Sequence, residues 1–149
     1  GLACVADITL SALEAKFGLP ETTLGVVPAQ IAPFLVQRIG LTATRRLALT
    51  GARFTGEEAA RLGVAHEAVP AEALNALLEN TLKQIQQCAP GANRATKALL
   101  FNTLRNPLTQ VLDDGAEAFA QAVQSAEGAE GTLAFMQKRL PKWAEDNHE

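Results

Sequence analysis

Apolar residues along this chain recur mostly at helical spacing, and the short alternating stretches that predict strands are confined to its first half. The opening Gly1-Leu2-Ala3-Cys4-Val5-Ala6 reads like the middle of an apolar helix, and Ala6-Asp7 ends it. Ile8-Thr9-Leu10-Ser11 alternates as a short strand, and Ala15-Lys16-Phe17 suggests a second. After Pro28, Ile31, Phe34 and Leu35 follow a helical rhythm to Ile39, with Gly40 as the natural stop and Pro33 in the tolerant first turn. Thr42 is placed to cap a further helix through Leu47, Ala48 and Leu49, ended by Gly51. Thr55 and Glu58 are spaced as a capping box before a short helix closed by Gly63. Val64 to Val69 alternates as a strand until Pro70.

From there the pattern is helical. Leu74, Leu77, Leu78, Leu82 and Ile85 share one face over about residues 71–88, and Pro90-Gly91 breaks that helix. Leu99, Leu100 and Leu104 mark the next. Asn106-Pro107 reads as N-cap and first helical residue of another, whose face carries Leu112, Ala116, Phe119, Ala120 and Val123. Leu133, Met136 and Leu140 predict a last helix running to Pro141. Helices with apolar stripes and few strands to cover them must bury those stripes against something.

Composition narrows the class. The chain has 149 residues, 48% of them hydrophobic, which suffices for a packed core and excludes a disordered chain. Charged residues are 19% and the net charge is −3, so neither a nucleic acid nor an anionic membrane is an expected partner. No apolar run approaches a membrane span. Cys4 and Cys88 lack any zinc-ligand or disulfide spacing and are expected as buried free thiols in a reducing, cytoplasmic setting. No metal site is expected. His66 and His148 have no partner at catalytic spacing. Asp113-Asp114 reads as a charged helical turn, and Arg45-Arg46 as a solvated face.

One stretch bears on chemistry. In Lys16-Phe17-Gly18-Leu19-Pro20-Glu21-Thr22-Thr23-Leu24-Gly25-Val26-Val27-Pro28, Glu21 follows a proline inside a nearly uncharged segment. Proline holds its own φ near about −65° and biases Leu19 toward extended backbone, while Gly18 and Gly25 permit turns on either side. Two readings stand. Glu21 sits in the first turn of a helix opened by Pro20, where a negative charge is favourable. Alternatively, it is a rigidly mounted carboxylate suited to proton transfer.

The succession Ala6-Asp7-Ile8, Ala15 to Glu21, Leu24-Gly25, Pro28, Arg38-Ile39-Gly40, Leu49-Thr50-Gly51, Glu58-Ala59, Leu62 to Ala65 and Ala134-Phe135-Met136-Gln137-Lys138-Arg139 resembles the crotonase family, the enoyl-CoA hydratases and isomerases. The resemblance implies an α/β fold, a crotonase-like spiral of strand-strand-helix units followed by a helical trimerisation region. Residues 1–90 would then be the C-terminal part of the spiral core and residues 91–149 the helical region. The chain would be the C-terminal part of a longer protein. The backbone donors that hold the thioester oxygen would lie before Gly1.

The same resemblance implies an acyl-CoA thioester as substrate, no cofactor beyond its coenzyme A, and a homotrimer or hexamer. Glu21 matches the Pro-Glu member of the family's usual glutamate pair and becomes the candidate catalytic residue. The other glutamate's position falls on Gly1, which can neither activate water nor carry a proton. Pro28-Ala29-Gln30-Ile31-Ala32-Pro33-Phe34 is similar to the methylglutaconyl-CoA and isohexenylglutaconyl-CoA hydratase branch, which acts in leucine and acyclic-terpene breakdown. Gly1, Pro28 and Ile31 are therefore candidates for substrate binding, with space over Gly1 for a branched acyl group. Phe119 and Lys138 match positions that contact coenzyme A, commonly from a neighbouring subunit. The implied activity is hydration of a branched, glutaconyl-type enoyl-CoA. The alternatives are a Δ3,Δ2-enoyl-CoA isomerase, for which one carboxylate suffices, and a non-catalytic assembly member.

Overall fold

The computed structural model describes residues 1–145, and His148 lies outside the described residues. The chain forms two compact units, Gly1–Glu79 and Asn80–Glu149. It passes from one to the other within a helix.

Four three-residue strands lie in the first unit. β1 (Leu10–Ala12) pairs in parallel with β4 (Glu67–Val69), Leu10 opposite Glu67. β2 (Lys16–Gly18) and β3 (Arg53–Thr55) are antiparallel, which sets Phe17 opposite Phe54. Those two rings stack with centroids 5.7 Å apart, a favourable cross-strand pair. Phe17 and Phe54 then pack on a small-residue core of Ala59, Val64 and Ala65.

Four helices accompany them: α1 (Leu2–Val5), α2 (Ala32–Leu49), α3 (Gly56–Leu62) and α4 (Leu74–Gln86), the last crossing into the second unit. The two helices expected between Pro28 and Gly51 are both present, joined end to end in α2 across a kink at Gly40 (φ 75°, ψ 164°). Thr42 therefore lies inside α2 instead of capping it. The hydroxyl of Thr44 donates to the Gly40 carbonyl at 2.8 Å, one turn back along α2. Leu35 and Leu47, one on either side of Gly40, are the largest fully buried side chains. Phe34, beside Leu35, stays substantially exposed.

Thr55 caps α3 as expected, its hydroxyl oxygen accepting the Glu58 N–H. Glu58 does not complete the box. Its carboxylate pairs with Arg61, and with Arg46 at 3.5 Å. The hydrogen bond from Arg61 holds that carboxyl below the usual carboxylate range.

The second unit contains α5 (Pro90–Asn102), α6 (Leu108–Gln124), α7 (Ala126–Gln137) and α8 (Lys142–Glu145). Pro90 is the first residue of α5, since a proline lacks only an N–H that a helix start leaves free. Pro107 itself is the N-cap of α6, not Asn106, because its extended ψ of 150° places it outside the helix. Ser125 ends α6 and caps α7, accepting from the Gly128 N–H at 3.0 Å. Across the helices, the Glu127 carboxylate accepts the Gly91 and Ala92 N–H groups at 3.0 and 3.2 Å.

The last helix ends earlier than the pattern predicts. α7 stops at Lys138 instead of continuing through Leu140 to Pro141. Arg139 turns back and pairs with Glu130 through both terminal nitrogens, at 2.7 and 3.1 Å, and Glu130 also accepts the Lys142 N–H at 3.1 Å. Those bonds, Arg139 first, bring the Glu130 carboxyl down to about 2.

Few of the expected apolar stripes are covered. On α4, Leu78, Leu82 and Ile85 are exposed; on α6 and α7, Leu112, Val123 and Met136 are exposed as well. The cysteines correct another expectation. Both are free, but Cys88 is exposed and Cys4 only half-buried. Among the described residues no helix is long and apolar enough to cross a membrane.

The Glu130 site predicts a pH dependence. Its folded-state pKa lies below the unfolded carboxyl value, so the stabilisation is full above about pH 4.5 and fades as pH falls toward about 2. Urea unfolding of wild type and Glu130→Gln should show a gap that is constant near neutrality and closes over that acid window. A gap that persists unchanged to the bottom of the window contradicts it.

Candidate active site

Glu21 stands on a tightly tied turn. Leu19 before it is buried, and its N–H donates to the Ala52 carbonyl at 2.9 Å. Pro20 then caps a 3-10 turn, Glu21–Leu24, and its carbonyl accepts the Thr23 N–H at 2.9 Å and the Thr23 hydroxyl at 2.6 Å. The Thr22 hydroxyl donates to Ala48 O at 2.8 Å, pinning the turn to the end of α2. Gly25, at φ 75°, closes the turn in a left-handed conformation that side chains rarely adopt. The Glu21 carbonyl itself accepts the Val26 N–H at 3.1 Å. Both sequence readings of Glu21 thus meet: it opens a helical turn, and that turn is a rigid mount.

Its side chain is unlike those around it. Thr22, Thr23 and Leu24 are exposed, whereas Glu21 is half-buried and its Oε2 is buried with no hydrogen-bond partner among the described residues. Leaving a buried carboxylate oxygen without a donor costs about 1–3 kcal/mol or more. Such atoms are rare in folded proteins and call for a specific explanation.

Pro28, Ile31 and Gly1 come together around the start of α2. Pro28 O accepts the N–H groups of Ile31 (3.3 Å) and Ala32 (2.9 Å), making Ile31 the N-cap. A Cβ built on Gly1 would end 2.5 Å from Cγ2 of Ile31. The space expected over Gly1 is therefore taken, in the Cβ direction, by the Ile31 side chain.

Arg38, on α2, is a residue whose importance the sequence reading missed. Its Nε donates to Gly63 O and its Nη1 to Ala6 O, both at 3.1 Å. Nη2 reaches Val64 O and the Thr9 hydroxyl at 3.4 Å and His66 Nδ1 at 3.1 Å. His66 Nδ1 also accepts the Thr9 N–H at 3.0 Å, so this histidine serves the fold. An arginine two residues before a helix-breaking glycine, in a run otherwise apolar on its inner face, was the available signal.

Phe119 and Lys138 lie in the second unit. Phe119 is 71% exposed on α6 and is not a core residue. Lys138 is exposed and is the one described non-glycine residue with positive φ (53°). That conformation costs an L-residue about 1–2 kcal/mol. Among the described residues no group of three or more histidine, cysteine or acidic side chains could hold a metal ion.

A family model for enoyl-CoA hydratase/isomerase matches residues 1–146. The chain belongs to that family. Its backbone superposes on Pseudomonas aeruginosa AtuE with a TM-score of 0.94 at 61% identity, covering 97% of this chain and 56% of that one. An enoyl-CoA hydratase/isomerase from Marinobacter aquaeolei gives 0.92 at 54% identity, over 96% of this chain and 55% of the other. A probable enoyl-CoA hydratase of Mycobacterium bovis is 32% identical over 143 residues, 95% of this chain and 56% of the relative. The fold is crotonase-like, with the few short strands and many helices described above. The chain spans about half the length of the curated relatives it matches.

Lys138 offers a direct check on backbone strain. Lys138→Gly removes the penalty for positive φ and should raise thermal stability by up to about 1 kcal/mol. Calorimetry showing a loss of similar size would mean that the lysine side chain itself holds the end of α7.

Proposed function

We propose that this chain supplies the acid–base carboxylate of a hydratase that adds water to a branched, glutaconyl-type enoyl-CoA thioester. The observation that carries the reading is the buried, unpartnered Oε2 of Glu21 on its pinned turn. A carboxylate oxygen with no protein donor is free to accept a hydrogen bond from a water. Family membership and the hydratase name of the Mycobacterium bovis relative support the reaction class.

With glycine at position 1, one carboxylate performs both proton transfers. Glu21 takes a proton from water as the hydroxide adds to the β-carbon of the thioester. The resulting enolate then collects that proton from Glu21 at its α-carbon. Water is added across the double bond, the carboxylate is regenerated, and no redox partner or cofactor beyond the coenzyme A of the substrate is needed. Rigid placement matters because a single group must reach two successive positions without losing its alignment.

The Pro28–Phe34 segment supports a branched acyl group, and Lys138 and Phe119 are proposed to meet coenzyme A. Lys138 supplies a point charge for a phosphate, and Phe119 an apolar surface for the adenine. The strained backbone at Lys138 favours a functional reason for a lysine there. The uncovered faces of α6 and α7 support assembly into a trimer or hexamer in which those residues serve a neighbouring subunit.

Glu21→Gln in the intact enzyme should lower kcat by on the order of a hundredfold or more with little effect on stability. Near-normal turnover by a folded variant contradicts the assignment. Kinetics on 3-methylglutaconyl-CoA and crotonyl-CoA should favour the branched thioester in kcat/KM. A clear preference for crotonyl-CoA would remove the branched-substrate assignment.

A further inference from the structure

The Glu21 turn rests on a glycine. Gly51 follows the end of α2 with φ at 58°, and a Cβ there would collide with Cγ2 of Thr23 and come within 3.6 Å of the Thr22 hydroxyl. Two demands on this position can be separated. Its left-handed backbone closes the helix, with the Gly51 N–H donating to Ala48 O at 3.4 Å and the Ala52 N–H to Leu47 O at 3.0 Å. Asparagine also serves at such a helix end. The contact with Thr23 is the stricter demand, because it leaves no room for the first carbon of any side chain.

That contact lies on the carboxylate's own mount. Thr22 and Thr23 directly follow Glu21 in the 3-10 turn, which packs against α2. On one side of Glu21, the Leu19 N–H donates to Ala52 O at 2.9 Å; on the other, the Thr22 hydroxyl donates to Ala48 O at 2.8 Å. Glu21 is held between these two anchors, and Gly51 lies between the residues that receive them. The turn has little give of its own. Pro20 O accepts both the N–H and the hydroxyl of Thr23, which also keeps the Thr23 methyl from swinging aside, and Glu21 O accepts the Val26 N–H. A side chain at position 51 must therefore lift the turn as a piece, and the Glu21 carboxylate with it. We propose that Gly51 is a positioning residue for the Glu21 carboxylate, acting through the Thr22–Thr23 segment seated on it. This rests on the acid–base role given to Glu21 above and goes further, since part of the catalytic alignment then resides at the far end of α2. A displacement of about 1 Å costs such a reaction on the order of a hundredfold.

Steady-state kinetics of the intact enzyme test the proposal on whichever of 3-methylglutaconyl-CoA and crotonyl-CoA it turns over faster. Gly51→Ala should lower kcat by about tenfold or more while KM changes by less than about twofold. Thr23→Ser keeps the hydroxyl and removes only the methyl, so adding it to Gly51→Ala should return most of the lost kcat. A folded Gly51→Ala enzyme with wild-type kcat overturns the proposal, and so does a loss that Thr23→Ser leaves unrepaired. In a Glu21→Gln background, Gly51→Ala should cost nothing further; an additive loss shows that Gly51 acts other than through Glu21 and is equally fatal. If Gly51→Ala does not fold, Thr22→Val decides, because it loosens the same seat without adding bulk: kcat should fall at constant KM, and an unchanged kcat overturns the proposal. Double-bond movement in place of hydration removes the hydratase reading alone, since the kcat of either proton transfer reports where Glu21 stands. Full turnover by Glu21→Gln removes both.

Discussion

One guanidinium group ties the first unit together. Arg38 donates to carbonyls at the end of α1 and in the turn after α3, and reaches Thr9 and His66 beside the β1–β4 pair. Backbone carbonyls at segment ends have no partner within their own element and must find one elsewhere. A planar, always-charged group with five N–H donors can satisfy several at once. The small core of Ala59, Val64 and Ala65 buries little area, so directional bonds of this kind carry more of the specification than they would in a larger core. The position of α1, and with it of Gly1 against Ile31, depends on this clamp.

The candidate site follows from the same economy. Glu21 is aimed by backbone and hydroxyl bonds to Ala48, Ala52 and its own turn, none of which involves its carboxylate. The chemistry-bearing atom is therefore left unpartnered while its mount is rigid. Gly1 and Ile31 show the opposite arrangement, in which close packing leaves one residue no side chain at all.

What the sequence made legible were features with local causes. Pro20 before Glu21, glycine at 25, 40, 51 and 63, and the Thr55 cap all act within a few residues of themselves, and each was readable where it stands. Features with distant causes were not. Lys138 ends α7 because Arg139 finds Glu130 nine residues back, which no apolar periodicity reveals. Arg38 acts over 25 residues or more, and the filling of the space at Gly1 by Ile31 spans thirty positions. Asn106 looked the better cap by residue type, but the extended ψ of Pro107 makes α6 start one residue later. The stripes on α6 and α7 were legible as stripes, and nothing in the described chain covers Phe119 or Met136.

The proposed role of Glu21 is to add water across a thioester-conjugated double bond. Mass and NMR analysis of the product formed from 3-methylglutaconyl-CoA in deuterated water tests it most directly. Hydration yields a 3-hydroxyacyl thioester carrying one stereospecific deuterium at the α-carbon. Deuterium exchange or double-bond movement with no new hydroxyl would show an isomerase and contradict it.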